Sequence, residues 1–391
     1  MGICTARQAH YRDHLTEWEL IEDFLTGEDV EQHLVRGFYE STQAFEKRVQ
    51  LSDWRPYTRD LLSRITSRLA TKLPEVQRQV PVPDEWYESV GPKKESYDLF
   101  LVQLSEILLA FSEAWVILDP RTAKLHVVNP TFVTRWGRDF VVVKTEEAIS
   151  SSPRESELLQ DVYTLYTPTR FEVLCESKQG EDELLREGFY DREQRAFVDK
   201  TGQPTPPAVR IQLPFIADLG YQIARAHRAL YRTESRYDAA LSDSLRGLLQ
   251  LAVGSDEDMA KRVTEAIKKG SLAIPYAKEY GEHKTLSVGT EGLEHGRETL
   301  EHKRQELYRV ASSSEDLAAT RAQTATGSTI TEQQGGGALV SQIAATMESA
   351  ETDILRLVAQ SLDARLTERA FDVSVEWPRH FSELDVIEPN T

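Results

Sequence analysis

The sequence predicts a helix-rich α+β fold. Three observations carry this. The first third is dense in Leu, Glu, Arg and Gln with few β-branched runs. The middle breaks into short β-branched or aromatic runs separated by turn residues, and from residue 214 onward long amphipathic stretches return.

In chain order, helices are expected over 14–36, 41–51 and 53–73. In the last of these Leu61, Leu62, Ile65 and Leu69 recur at helical spacing, and Asp53 is placed to cap. A proline-rich stretch, 74–92, carries Trp86 and Tyr87. An amphipathic helix follows over 96–111 through Leu99, Leu104, Leu108 and Phe111. Strands are expected at 115–118, 125–128, 140–144, 162–166, 171–175 and 209–213. Turns such as Asp119-Pro120, Asn129-Pro130 and Gly202-Gln203-Pro204 divide them. Residues 181–191 read as a charged excursion, and 203–207 as a linker.

The next helix carries two stripes. Leu219, Ile223, Ala226 and Leu230 form an apolar one, while Arg225, Arg228, Arg232 and Arg236 form a basic one at spacings of 3, 4 and 4. Residues 245–253 still read as helix. A further helix is punctuated by Ser255 at its start, Lys268 and Lys269 near its end, and Gly270 after it. Strands at 272–276 and 285–288 flank the loop 278–284, and a helix spans 291–310. The polar segment 312–337 reads as irregular. The last long helix, 338–367, carries Leu339, Ile343, Met347, Ala350, Ile354, Leu357, Val358 and Leu362. Phe371, Val373, Val375 and Trp377 alternate as a final strand.

Composition narrows the function. The 391 residues hold 46 Lys+Arg against 64 Asp+Glu, a formal net charge of −18. Such a balance disfavours gripping nucleic acid by bulk charge, which takes Lys and Arg. The apolar runs are too short to span a bilayer, and residues 1–10 lack the basic-then-apolar pattern of a secretory signal. Two cysteines, Cys4 and Cys175, are too few for a disulfide framework and are expected as buried or idle thiols in a reducing compartment.

The chemistry-bearing motifs are sparse. There is no phosphate-cradling GxxxxGK[ST], no strand–GxGxxG–helix unit, no GxSxG elbow and no HExxH. The nearest metal-like grouping is His295, Glu298 and His302, with Glu291 and Glu294, on one expected helix. A solvated acidic helix with incidental histidines accounts for it more simply. His10 and His14, four apart, lack a third ligand nearby. An enzyme reading therefore has no anchor, and no metal or cofactor is expected. The arginine stripe reads as a solvated face, as a row pairing with acidic helices of neighbouring copies, or as a phosphate contact. The excess of carboxylates makes pairing the better of the two functional readings.

The order of parts resembles the portal proteins of tailed bacteriophages, the ring at the unique capsid vertex. The most local resemblance is Thr324-Ala325-Thr326-Gly327-Ser328-Thr329-Ile330-Thr331-Glu332, small residues, then the helix 338–362. Residues 11–27 are similar to the opening of one portal subgroup. Ile211-Gln212-Leu213-Pro214-Phe215, leading into 217–231, is similar to the strand-to-helix passage before the family's stem. The resemblance implies a wing, stem, clip and crown, ordered as wing, stem helix, clip, second stem helix, tunnel loop with its helix, and crown. It places the wing at 1–212 and the stem helices with a short clip near 238–254 at 213–270. The wing return, tunnel loop and tunnel helix fall at 271–310, and the crown at 311–391.

The resemblance further implies a dodecameric channel for DNA packaging and ejection, made in the host cytoplasm and sited at the portal vertex of the virion. Its partners would be major capsid protein, terminase, neck or tail proteins, and duplex DNA passing without sequence specificity. No membrane is implied. His283 and Lys284 become tunnel-loop candidates; Arg225, Arg228, Arg232 and Arg236 become inter-subunit stem candidates; Leu339, Ile343, Ile354 and Leu357 pack the crown helix. Twelve copies would carry 12 × −18, roughly −216 formal charges, a wall from which duplex slips rather than sticks. The alternatives are another head–tail adaptor or virion scaffold, and a metal-dependent hydrolase built on His295, Glu298 and His302.

Overall fold

The structure, a computed structural model, describes residues 2–38, 40–148, 159–177, 181–213, 219–246, 248–252, 261, 273–276, 284–286, 290–312, 336–367 and 371–378. It is α+β and divides into two compact units. The first comprises Met1–Ile21, Asp60–Gln222 and Ala311–Thr391, the second Glu22–Arg59 and Ile223–Val310.

Helices α1 (Ala9–Thr26), α2 (Thr42–Leu51) and α3 (Tyr57–Lys72) open the chain. The helix expected over 14–36 ends earlier, because Gly27 follows at φ +83, a left-handed conformation suited to glycine. The helix expected from residue 53 starts at Tyr57. Pro56 disfavours helical backbone at Arg55, so Asp53 lies four residues outside and caps nothing. Ser41 does cap α2, accepting from the Ala44 amide.

Strand β1 (Gln77–Gln79), the short α4 (Asp84–Tyr87) and α5 (Tyr97–Phe111) follow. Ser96 caps α5 by accepting from the Leu99 amide. The face of α5 departs from expectation. Leu99 is exposed, while Phe100, Leu101, Leu104, Leu108 and Leu109 are buried. The apolar arc is broad enough that the stripe could be placed one residue off.

The sheets of the first unit are antiparallel. Strands β2 (Glu113–Asp119), β3 (Lys124–Val128) and β9 (Ala208–Gln212) form one, ordered β3-β2-β9. Strands β4 (Val133–Trp136), β5 (Val141–Ala148), β6 (Leu159–Tyr166), β7 (Arg170–Glu176) and β8 (Asp182–Phe189) form a five-stranded meander in sequence order. The charged excursion at 181–191 is thus strand β8, paired along its length with β7. It is an edge strand, whose solvated position tolerates charge. The linker at 203–207 is tied down by a bridge from Val198 to Pro204. Trp115, Ile117, Val133, Val141 and Val143 make one apolar cluster. Cys4, Val142, Tyr163 and Leu174 make another. Cys4 and Cys175 are both buried free thiols.

The second unit holds α2, the body of α6 (Leu219–Arg246), strands β10 (Leu248–Ala252), β11 (Ala273–Tyr276) and β12 (Lys284–Leu286), and most of α7 (Thr290–Ser312). Here the chain departs from the expected helix at 245–253. Residues 248–252 form the centre of a three-stranded sheet, parallel to β11 and antiparallel to β12. Backbone pairing on both sides overrides the helix-favouring run of Leu and Gln. The helix expected over 255–270 lies outside the described residues apart from Lys261. The loop 278–284 lies outside them apart from Lys284, and the interior of 312–337 lies outside them as well.

Helix α8 (Gly336–Leu362) and strand β13 (Ser374–Glu376) complete the first unit. Ile343, Met347, Ile354, Leu357 and Val358 are buried where α8 packs on β9, β13, α5 and β2. Each such side chain stabilises by roughly 1.5–3 kcal/mol relative to exposure. The Leu339 side chain lies outside the described residues.

Candidate functional site

The basic stripe lies on α6, a 28-residue helix whose opposite face is buried through Ile223, Ala224, Leu230 and Tyr231. His227 shares that buried face. Phe24 and Tyr57 pack on its ring, and its Nδ1 meets Thr58 Oγ1 at 2.8 Å. Burial pushes its pKa down to about 4, so the imidazole is neutral at pH 7.

A second arginine, Arg48 on α2, is consumed internally. It is buried, gives both Nε and a terminal nitrogen to Glu40 at 2.8 and 3.0 Å, and donates to Ser235 Oγ on α6 at 2.9 Å and to the Val35 carbonyl. Its hydrogen bonds hold the Glu40 carboxyl below the ordinary range against the opposing effect of burial.

The stripe itself differs. Arg225 and Arg236 are exposed and Arg228 and Arg232 half-buried. Arg232 Nε donates to the His33 carbonyl at 2.6 Å. Burial, then repulsion from Arg228 and Arg236, lowers the Arg232 pKa, a sign that positive charge is concentrated along this face. From residue 219 to 240 the helix has two acidic residues, Glu234 and Asp238. Glu234 is buried and bound by Arg304 of α7 at 2.9 Å.

Helix α7 meets α6 through Arg304 on Glu234 and through Gly296 on Tyr237, where an added methyl would lie 2.9 Å from the ring, and Leu300 and Leu307 are buried. Its outer face presents Glu294, Glu298 and Glu301, all exposed, at spacings of 4 and 3. His295 and His302 are exposed too, and His295 Nδ1 stands 3.9 Å from Glu298. Among the described residues, no three His, Cys, Asp or Glu side chains are grouped so as to hold a metal ion.

The first unit contains two buried carboxylate centres that the sequence reading passed over. Glu113, at the start of β2, accepts from Arg210 Nε and a terminal nitrogen at 2.9 and 2.8 Å. It also accepts from Gln212 Nε2 and from Trp115 Nε1, each at 3.0 Å, and meets His10 Nε2 at 3.0 Å. Burial alone would raise its pKa, but Arg210 outweighs it and holds the carboxyl below the ordinary range. Arg210 also lies 4.5 Å over the Trp136 ring. A cavity of 340 Å³ opens beside this centre, lined by His10, His14, Glu17, Trp18, Gln212 and Tyr221. His10 and His14 are thus engaged by Glu113 and Glu17 respectively.

Glu351 is the second centre. Fully buried on α8, it accepts from Arg78 Nε of β1 at 2.5 Å and from Trp377 Nε1 at 2.8 Å. Burial pushes its carboxyl up. A signal for it existed in the sequence. Glu351 falls four residues after Met347 and three before Ile354, inside the apolar stripe. Glu113 gave a similar one, a carboxylate leading straight into Ala-Trp-Val-Ile-Leu.

Of the residues singled out from sequence, Arg225, Arg228, Arg232 and Arg236 share one side of α6, and Ile343, Ile354 and Leu357 share the buried face of α8. Lys284 sits in β12 opposite Gln250. His283 lies outside the described residues.

No protein-family model and no curated relative matches the sequence. Among solved structures, the chain is similar to one in the virion of a native gene transfer agent particle. That likeness has 11% identity and a TM-score of 0.40, covering 90% of this chain and 89% of that one. Chains in the neck of the native particle, computed with C12 symmetry, and of the empty particle, computed with C6 symmetry, are each 12% identical. Their TM-scores are 0.39 and 0.38, and each covers 88% of this chain and 86% of its own. At these values the likeness assigns no function.

Proposed function

We propose that this chain is a portal-type head-to-tail connector. About twelve copies close into a ring at the capsid vertex and form a conduit for packaging and ejecting duplex DNA. The ring docks terminase, then neck or tail proteins, contacts major capsid protein, and has no catalytic role of its own.

The observation that carries this reading is the excursion within the second unit. A 28-residue helix, about 42 Å long, leads to a small three-stranded sheet, and a 23-residue helix of about 34 Å follows. This matches the family order of stem helix, clip and second stem helix. On this reading the clip spans residues 248–286, with α6 and α7 as the stem pair. On that placement Lys284 and His283 belong to the clip. The acidic net charge supports a wall that leaves DNA mobile.

Negative-stain imaging and native mass spectrometry of the purified chain test the proposal. Rings with a central hole and a mass near 12 × 44.4 kDa, roughly 530 kDa, are expected. A monodisperse monomer under all assembly conditions would overturn it.

A further inference from the structure

Resting on the ring reading above, we infer that the subunit interface is a heterologous charge zipper. The arginine stripe of α6 on one copy receives the exposed Glu294, Glu298 and Glu301 of α7 on the next.

Both stripes belong to the second unit, where Arg225 and Arg236 of α6 are exposed, as are the three glutamates of α7. On α6, Arg225, Arg228, Arg232 and Arg236 lie within a narrow arc opposite Ile223 and Leu230. On α7, the three glutamates lie on the side away from Leu300 and Leu307. Among the described residues, neither Arg228 nor Arg236 has a carboxylate within ion-pair distance, although Arg236 acts on Glu40 from further off. Burial, then repulsion from Arg228 and Arg236, lowers the Arg232 pKa. A face this basic on a chain of net charge −18 calls for an anionic partner. A second copy supplies one of matching spacing. The two stripes are different surfaces, so pairing them is head-to-tail, the kind of contact that closes into a ring.

The helix packing also sets the register. Tyr237 meets Gly296 and Glu234 meets Arg304, so α6 and α7 run antiparallel, with residue numbers at equal height summing to about 535. Ring neighbours are related by rotation alone. With both helices along the axis, Arg236 therefore stands level with Glu298, and Arg232 within about one turn of Glu301. Arg236 and Glu298 form the central pair.

Charge reversal tests this directly. R236E and E298R are each expected to cut the ring fraction in native mass spectrometry about tenfold at low salt, and the R236E/E298R protein to recover it within about twofold. The milder R236Q and E298Q are expected to fall between, and thermal melts of all variants to overlay the wild type. Rings undiminished in R236E and E298R would overturn the inference while leaving the ring proposal intact. So would a double variant as impaired as the singles. Undiminished rings that lose duplex retention in R236E would assign the stripe to phosphate instead. A wild type without rings removes the ring proposal itself.

Discussion

The sheet unit pairs its buried carboxylates internally, while the helical unit, beside internal pairs such as Arg48–Glu40 and Arg304–Glu234, also keeps charge at its surface. In the sheet unit, Glu113 and Glu351 are buried and saturated by Arg210, Gln212, Trp115, Arg78 and Trp377. In the helical unit, Arg225 and Arg236 of α6 and the glutamates of α7 stay at the surface. A buried charge is fixed by the chain's own folding, because leaving it unpaired costs more than most folds can spare. A solvated charge adds almost nothing to folding and is free to serve recognition. The contrast separates arginines that hold the molecule together from arginines that hold it to something else.

The largest break in this contrast comes from Glu351→Ala. It strands the Arg78 guanidinium and the Trp377 indole in the core, and a loss of about 4 kcal/mol in urea unfolding is expected. A smaller effect comes from acid. His227 is neutral when folded, with a pKa near 4, whereas its ordinary value is 6.5. The unfolded chain therefore takes up a proton first as pH falls. Stability from this residue is full above about pH 6.5, declines toward pH 4 and then levels. By pH 5 the loss is about 2 kcal/mol. Melts of His227→Phe should lack this limb between pH 6.5 and 4. Smallest is the R228A/R236A double variant, expected to change chain stability by less than about 0.5 kcal/mol. A larger loss would mean that these arginines act within the chain, erasing the distinction.

Much of this architecture was legible in the sequence. Periodicity placed the helices at 96–111 and 291–310, the last long helix at 338–367, five residues past its observed end at Leu362, and strands β5, β6 and β7 of the meander, because each buries one face over a regular repeat. The arginine stripe was readable for the same reason, as four side chains at helical spacing share one arc. Helix ends were less legible. Gly27 and Pro56 stop or delay helices through backbone conformation, while the hydrophobic pattern runs on past them. Strand β10 was not legible at all. Its helical reading was locally sound, and only partners 24 and 36 positions away, Ala273 for Leu249 and Thr285 for Leu249 in turn, make it a strand. Buried centres were half legible. Glu113 and Glu351 carried a signal as carboxylates in apolar company that the reading passed over, and Arg210 and Arg78 reach them only through the fold, across about 97 and 273 positions.

The pairing of β1 with β13 reaches beyond stability. Trp377 closes over Glu351 only after synthesis has passed residue 377, so the core around α8 sets later than the sheets that precede it in the chain. A polypeptide cut short before this tryptophan keeps a charged residue exposed in an unfinished interior, where chaperones and proteases recognise it. Synthesis through residue 377 thereby becomes a condition for a durable subunit.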